Sequence, residues 1–204
     1  MPASFPVPLR AVLLRRLVGA PLVLALGGCI AFKVDQPVTG YTCCNLRAEY
    51  GWVSSDNVIG RGNVIPLGMP ARITDIKRSY YLYGRIGDED VGFRDDSAKR
   101  EADTLRWARV VIVPEDPRQV LAGWPTDVRT AVGLSRVIPG MTRAQVAMSI
   151  GHPPASETPD PNAAVWRYWT GADDTPLEVA FADDGRVARI SGSPAGLQLV
   201  EMPR

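Results

Sequence analysis

The sequence predicts an α+β chain of two modules, a small β-barrel followed by a two-layer domain of two helices and three strands. Three observations lead there. Period-two alternation with turn clusters runs from Tyr41 to Asp96, compact helix signals lie between Thr126 and Gly151, and a meander pattern follows from Val165 to Ile190. Composition agrees with a folded protein: 46% of the 204 residues are hydrophobic and 22% charged.

The first twenty-nine positions read differently. Arg10, Arg15 and Arg16 form a cationic head, Leu17 to Leu26 an apolar run broken by Gly19 and Pro21, and Gly27-Gly28 the small residues a signal peptidase needs. That run is about half the roughly 20 residues required to span a bilayer permanently. Residues 1–28 are therefore expected to be a signal peptide. The Arg15-Arg16 pair also invites a twin-arginine export reading, which its neighbours match poorly. Leu26-Gly27-Gly28-Cys29 resembles the lipobox of bacterial lipoproteins. The resemblance implies lipid attachment at Cys29, including an amide-linked acyl chain such as palmitate, and several chains together anchor firmly where one does not. Ile30 follows the cysteine, not the Asp that resembles an inner-membrane retention signal, so outer-membrane sorting facing the periplasm is expected.

Residues 29–40 are unpatterned and read as a lipidated tether. Cys43 and Cys44 are adjacent; in an extended strand their side chains point to opposite faces. One thiol buried in a strand with its neighbour partly exposed is the first reading, and a vicinal disulfide in an oxidising periplasm the second. With one histidine in the chain, a zinc site lacks ligands.

Residues 41–96 form the expected barrel. Asn57 to Asn63 is a turn cluster, Ala71 to Ile76 and Tyr80 to Ile86 alternate, and Gly87-Asp88-Glu89-Asp90 makes an acidic turn without the spacing of a calcium loop. The phrase from Ile65 to Ile76, a Pro-Leu-Gly turn entering an alternating strand, resembles the middle of an SH3-like barrel. Tyr80, Tyr81 and Tyr83 either line a groove there or pack one face of their strand. Residues 97–124 read as a linker: charged from Asp96 to Asp103, a β-rich strand over Leu105 to Val113, then a short helix opened by Asp116-Pro117 and closed by Gly123.

Residues 125–193 are the second module. Thr126 caps a helix with an apolar stripe of Val128, Ala131, Val132 and Leu134. Thr142 and Gln145 have the spacing of a capping box, Met141 and Val146 that of a hydrophobic staple, and Gly151-His152-Pro153-Pro154 ends the helix. Val165 to Trp169, Leu177 to Phe181 and Arg186 to Ile190 are strands, the last two joined at Asp184-Gly185. Residues 194–204 are left as a tail.

Ile138 to Val146, Gly151-His152-Pro153, Trp166-Arg167-Tyr168, Leu177 to Phe181 and Asp184 to Val187 together resemble the BamE/SmpA/OmlA family of small outer-membrane lipoproteins. The resemblance covers Val137 to Gly192. It implies a BamE-like ααβββ fold and a non-enzymatic accessory role beside the machinery that inserts β-barrel proteins into the outer membrane. In that family the module follows closely behind the lipidated cysteine, whereas here the barrel region intervenes.

The residues point to no catalytic centre. His152 is the one histidine a nucleophilic triad would use, and no serine stands in a nucleophile-elbow context. Asp95-Asp96, Asp173-Asp174 and Asp183-Asp184 fall in linkers and turns, and no glycine-rich phosphate loop is present. A net charge of +1 carries no nucleic-acid footprint. No small-molecule substrate, cofactor or metal is expected, and the partners are envelope proteins. A wall- or peptide-binding module built on the barrel is the alternative; a secreted enzyme inhibitor, whose fold the ααβββ order also resembles, is another.

Overall fold

The computed structural model describes residues 32–77 and 80–203. The fold is mixed α+β, with a curled eight-stranded sheet in the form of a half-barrel, a separate three-stranded sheet and five helices among the described residues. Strands β1 (Phe32–Thr42), β2 (Leu46–Glu49), β3 (Trp52–Ser54), β4 (Asn63–Ile65), β5 (Pro70–Ile76), β6 (Leu82–Ile86), β7 (Glu89–Arg94) and β8 (Ile112–Val113) make the large sheet in the order β4-β2-β3-β7-β6-β5-β1-β8. All its neighbours are antiparallel except β3 and β7. Its concave side buries Ile73, Leu82, Val91 and Phe93.

Three sequence expectations change here. Residues 32–40 are no tether: from Phe32 they belong to β1, which pairs with β5 on one side and β8 on the other. Its irregular sequence is held by ladder bonds to distant strands, and among residues 33–39 the buried hydrophobics are Val34 and Val38. Residues 105–111 are helical, within α1 (Glu101–Val111). Their β-branched residues had favoured a strand, but Thr104, Ala108 and Val111 recur at the i, i+4, i+7 spacing and lie buried against the half-barrel. Only β8 retains the predicted extended form. Cys43 and Cys44 are bonded to each other as a vicinal disulfide, because the chain bends between β1 and β2 instead of running on as a strand.

The second layer begins with α2 (Arg118–Ala122), which Gly123 closes as expected, with Asp116 accepting from the Arg118 N–H at its start. Helices α3 (Thr126–Gly133) and α4 (Arg143–Ile150) follow, then strands β9 (Val165–Tyr168), β10 (Leu177–Phe181) and β11 (Val187–Ser191) as an antiparallel meander. The capping box is present: Thr142 Oγ1 accepts from Gln145 N and Gln145 Oε1 from Thr142 N. Met141 and Val146, the staple pair, are both fully buried. Thr126 makes no capping bond and accepts from the Arg129 guanidinium. Leu134 lies beyond the helix end and is half exposed, so the buried stripe is Val128, Ala131 and Val132 alone. The predicted tail instead forms α5 (Pro194–Gln198), and Val200 beyond it is fully buried and accepts from Val137 N through its carbonyl.

The two layers meet at the C-terminal end of α4, where helix geometry leaves carbonyls without intrahelical donors. Gly151, at φ +82°, turns the chain and satisfies only the Ala147 carbonyl. The Met148 carbonyl accepts from Asn45 N (3.1 Å), and those of Ser149 and Val132 from Asn45 Nδ2 (3.0 and 2.7 Å). Ile150 O accepts from Arg47 Nη1 (3.1 Å) and Asn57 Nδ2 (2.9 Å), and Gly151 O from the Tyr168 hydroxyl (2.9 Å). Asn45, Arg47 and Asn57 all come from the half-barrel, whose Ile59 and Leu67 also enter the second core. Asn45 is 3% exposed, and its Oδ1 accepts from Leu67 N.

Two stability predictions follow from these contacts. Asn45→Ala leaves buried partners unpaired in both layers and is expected to cost about 3 kcal/mol in urea unfolding, with a single transition monitored by both tryptophan fluorescence and circular dichroism. Two separable transitions in the unmodified protein would disprove the joint. Thr142→Ala, which removes only the cap, is expected to cost about 1 kcal/mol in the same assay.

Candidate functional site

A cleft of about 580 Å³ opens at the joint. Leu46 and Val53 form its half-barrel wall, Trp107 and Val110 of α1 a second wall, and His152, Pro153 and Pro159 the third. Asp103, Arg106, Trp107 and Val110 reach it together because their spacing puts them on one helical face, adjoining the buried face of α1 through Val111, which also lines the cleft. Its charges are largely matched: Asp103 meets Arg100 at 3.1 Å and Arg106 at 3.4 Å, which hold its carboxyl below the usual range. Arg47, at the cleft's inner end, has no carboxylate among the described ion pairs; its charge faces the negative end of α4. Burial lowers its pKa and pushes the Tyr168 phenol well above its ordinary value, so Tyr168 remains a neutral donor to Gly151 O.

The sequence-predicted residues scatter around this cleft. Cys29 lies outside the described residues, as does the whole signal segment. Cys44 lines the cleft through its disulfide with Cys43, and Cys44 is the more buried of the two. His152 stands at the mouth with its ring 6.4 Å from that of Trp166, and desolvation by the surrounding chain lowers its pKa. Its carbonyl accepts from Asn57, so its backbone belongs to the joint. Asp173-Asp174 and Asp183-Asp184 sit between strands of the meander, where Asp173 and Asp184 accept from backbone N–H groups two residues on.

Tyr81 and Tyr83 face away from Leu82 and the core, and pack edge-on against Trp52 at 5.3 and 5.4 Å. Lys77 Nζ lies 4.0 Å above the Tyr83 ring. Trp52 lies flat over Gly92 on the neighbouring strand, where a Cβ would come within 2.6 Å of its ring atoms. The result is an aromatic patch on the outer face of the half-barrel. Among the described residues, no group of three or more His, Cys, Asp or Glu side chains is placed to hold a metal ion, and no helix is long and apolar enough to cross a membrane. No family model, curated protein or solved structure matches the chain.

Of Asn45, Arg47 and Asn57 the sequence reading singled out only Asn57, as part of a turn cluster, and no spacing identifies their acceptors 87 to 104 residues away. The acidic group beside them was only partly legible. Asp95 accepts from the hydroxyls of Ser55 and Ser97, Asp96 from that of Ser54, and Asp56 joins them from the turn after β3. Burial, then the repulsion of Asp96, raises the Asp56 pKa, with Arg94 opposing.

The folded state therefore holds the Asp56 proton more tightly than the unfolded chain does, so ionisation of this carboxyl costs stability above its folded pKa. That cost vanishes as pH falls below the unfolded value. Asp56→Asn is expected to raise Tm by about 2 °C at pH 7 and to make no difference near about pH 3, read by calorimetry across that range. A loss of Tm at pH 7 would show that the carboxylate is stabilising.

Proposed function

We propose that the chain is an outer-membrane lipoprotein, anchored through acyl groups on Cys29, which acts by protein–protein contact as an accessory factor in the assembly of outer-membrane β-barrel proteins. The observation that carries this reading is the ordered unit α3–α4–β9–β10–β11. The segments behind the BamE/SmpA/OmlA resemblance occupy it in sequence, from the Gly140-Met141-Thr142 helix start to the Asp184-Gly185 hairpin. In this reading the unit is a BamE-like ααβββ domain, and the half-barrel before it an SH3-like module carried rigidly on α4. The lipobox-like Leu26-Gly27-Gly28-Cys29 supplies the anchor.

A second reading, recognition of wall polymer or peptide by the half-barrel, is favoured by the outer aromatic patch of Trp52, Tyr81 and Tyr83.

Metabolic labelling with palmitate and membrane fractionation test the anchor. The unmodified chain is expected to take up label and sediment with outer membranes, and Cys29→Ser to lose both. A Cys29→Ser protein that remains labelled would remove the anchor from this reading. Affinity purification from solubilised envelopes tests the partner: recovery of barrel-assembly subunits supports it, and recovery of wall-associated proteins in their place moves the function to the half-barrel.

A further inference from the structure

The half-barrel holds a second concavity, which shares no lining residue with the cleft at the joint. It measures about 820 Å³ and is bounded by the β2–β3 turn, β4 and the β6–β7 turn. Ala48, Ile65, Met69, Ile86 and Val91 give it an apolar floor continuous with the half-barrel core. Its rim carries four exposed carboxylates, Glu49, Asp88, Glu89 and Asp90, and no lysine or arginine lines it. Asp90 meets Arg85 at 3.3 Å; none of the other three has an ion-pair partner among the described residues. The groove is negative along its rim and apolar at its base.

Two further features border it. Strand β4 ends the sheet and pairs only with β2, so its outer edge offers unpaired main-chain donors and acceptors beside Val64, itself 48% exposed. At the β2–β3 turn, Tyr50 is held at φ +50° with 95% of its surface exposed. A tight turn of this hand favours Asn or Gly at that position, and a bulky aromatic there costs about 1 kcal/mol with no packing in return. The cost is intelligible where the ring serves a partner outside the chain.

We propose that this groove binds an extended, lysine- or arginine-bearing segment of a partner protein as an added strand on β4. Main-chain bonds to the free edge fix the segment. Its period-two alternation sends apolar side chains to the floor and cationic ones to Glu49, Asp88 and Glu89, with Tyr50 closing over the end. Charge selects the segment and the edge selects a polypeptide, which sets it apart from a polyamine or a metal ion. Neither Cys29 nor the barrel-assembly partner is needed for this binding, so it stands or falls apart from the reading above.

Fluorescence anisotropy with the full chain in detergent micelles tests it. The probe is a labelled short peptide of alternating Lys and Val, and the control replaces every Lys by Glu. The Lys peptide is expected to bind and the Glu peptide not. Affinity is expected to fall at least about tenfold on raising salt from about 50 to about 300 mM, and by a similar factor in the combined variant Glu49→Lys, Asp88→Lys, Glu89→Lys. Two further probes carry backbone N-methyl groups on alternate residues in the two possible registers, and one register is expected to lose binding. Equal affinity for the Lys and Glu peptides overturns the proposal. So does full affinity in both N-methylated registers, which leaves only unspecific charge attraction. The salt titration and the peptide series use the unmodified protein and do not depend on the variant folding.

Discussion

The end of α4 is the constraint around which the molecule is built. A helix that stops inside a protein exposes carbonyls that must find donors or cost free energy, and its dipole adds negative charge at the same place. Here a buried amide, a guanidinium and a second amide arrive from the half-barrel, together with a phenol from the helix's own layer. Because the donors and acceptors belong to different layers, neither layer completes its hydrogen bonding alone. That demand places β2, orients the turn after β3, and brings Ile59 into the core of the other layer.

With the joint fixed, the remaining surfaces divide by character. The cleft beside it is walled by side chains from three elements and carries charges that answer one another. The groove beside β4 instead leaves Glu49, Asp88 and Glu89 without a basic partner among the described residues, above an apolar floor. Between them, the outer aromatic patch spends most of its ring surface on itself and on Gly92. Under the proposed binding, this separation would keep the surface that meets a partner apart from the side chains that hold the layers together.

What the sequence disclosed was whatever nearest neighbours decide. The Thr142–Gln145 box, the Met141–Val146 staple, the hairpin at Asp184-Gly185 and the alternation of Leu177 to Phe181 are written within a few residues each, and the structure places them as read. Elements decided by distant partners were misread. Leu105 to Val113 is β-rich and reads as strand, yet burial of Thr104, Ala108 and Val111 on one face makes all but its last two residues helix; the 104–108–111 spacing was the available signal. Phe32 to Thr42 has no pattern of its own and becomes a strand through β5 and β8. The bend that joins Cys43 to Cys44 arises because Asn45 is drawn toward α4. Nothing local announces that Asn45 makes three side-chain hydrogen bonds across the joint and its surroundings, as does Asn57.

The joint also has a temporal side. The Asn45 side chain is made 87 and 104 residues before the carbonyls it binds, and Arg47 103 residues before its own. At typical synthesis rates of about 5–20 residues per second, they wait for about 5–20 s before an acceptor exists. Closing so long a loop is entropically slow, and the contacts reward it only at the end. The bonds that tie β2 and the turn after β3 to α4 can therefore be completed only once the second layer has emerged. The C-terminal half thus supplies the acceptors that the donors of Asn45, Arg47 and Asn57 in the N-terminal half must wait for.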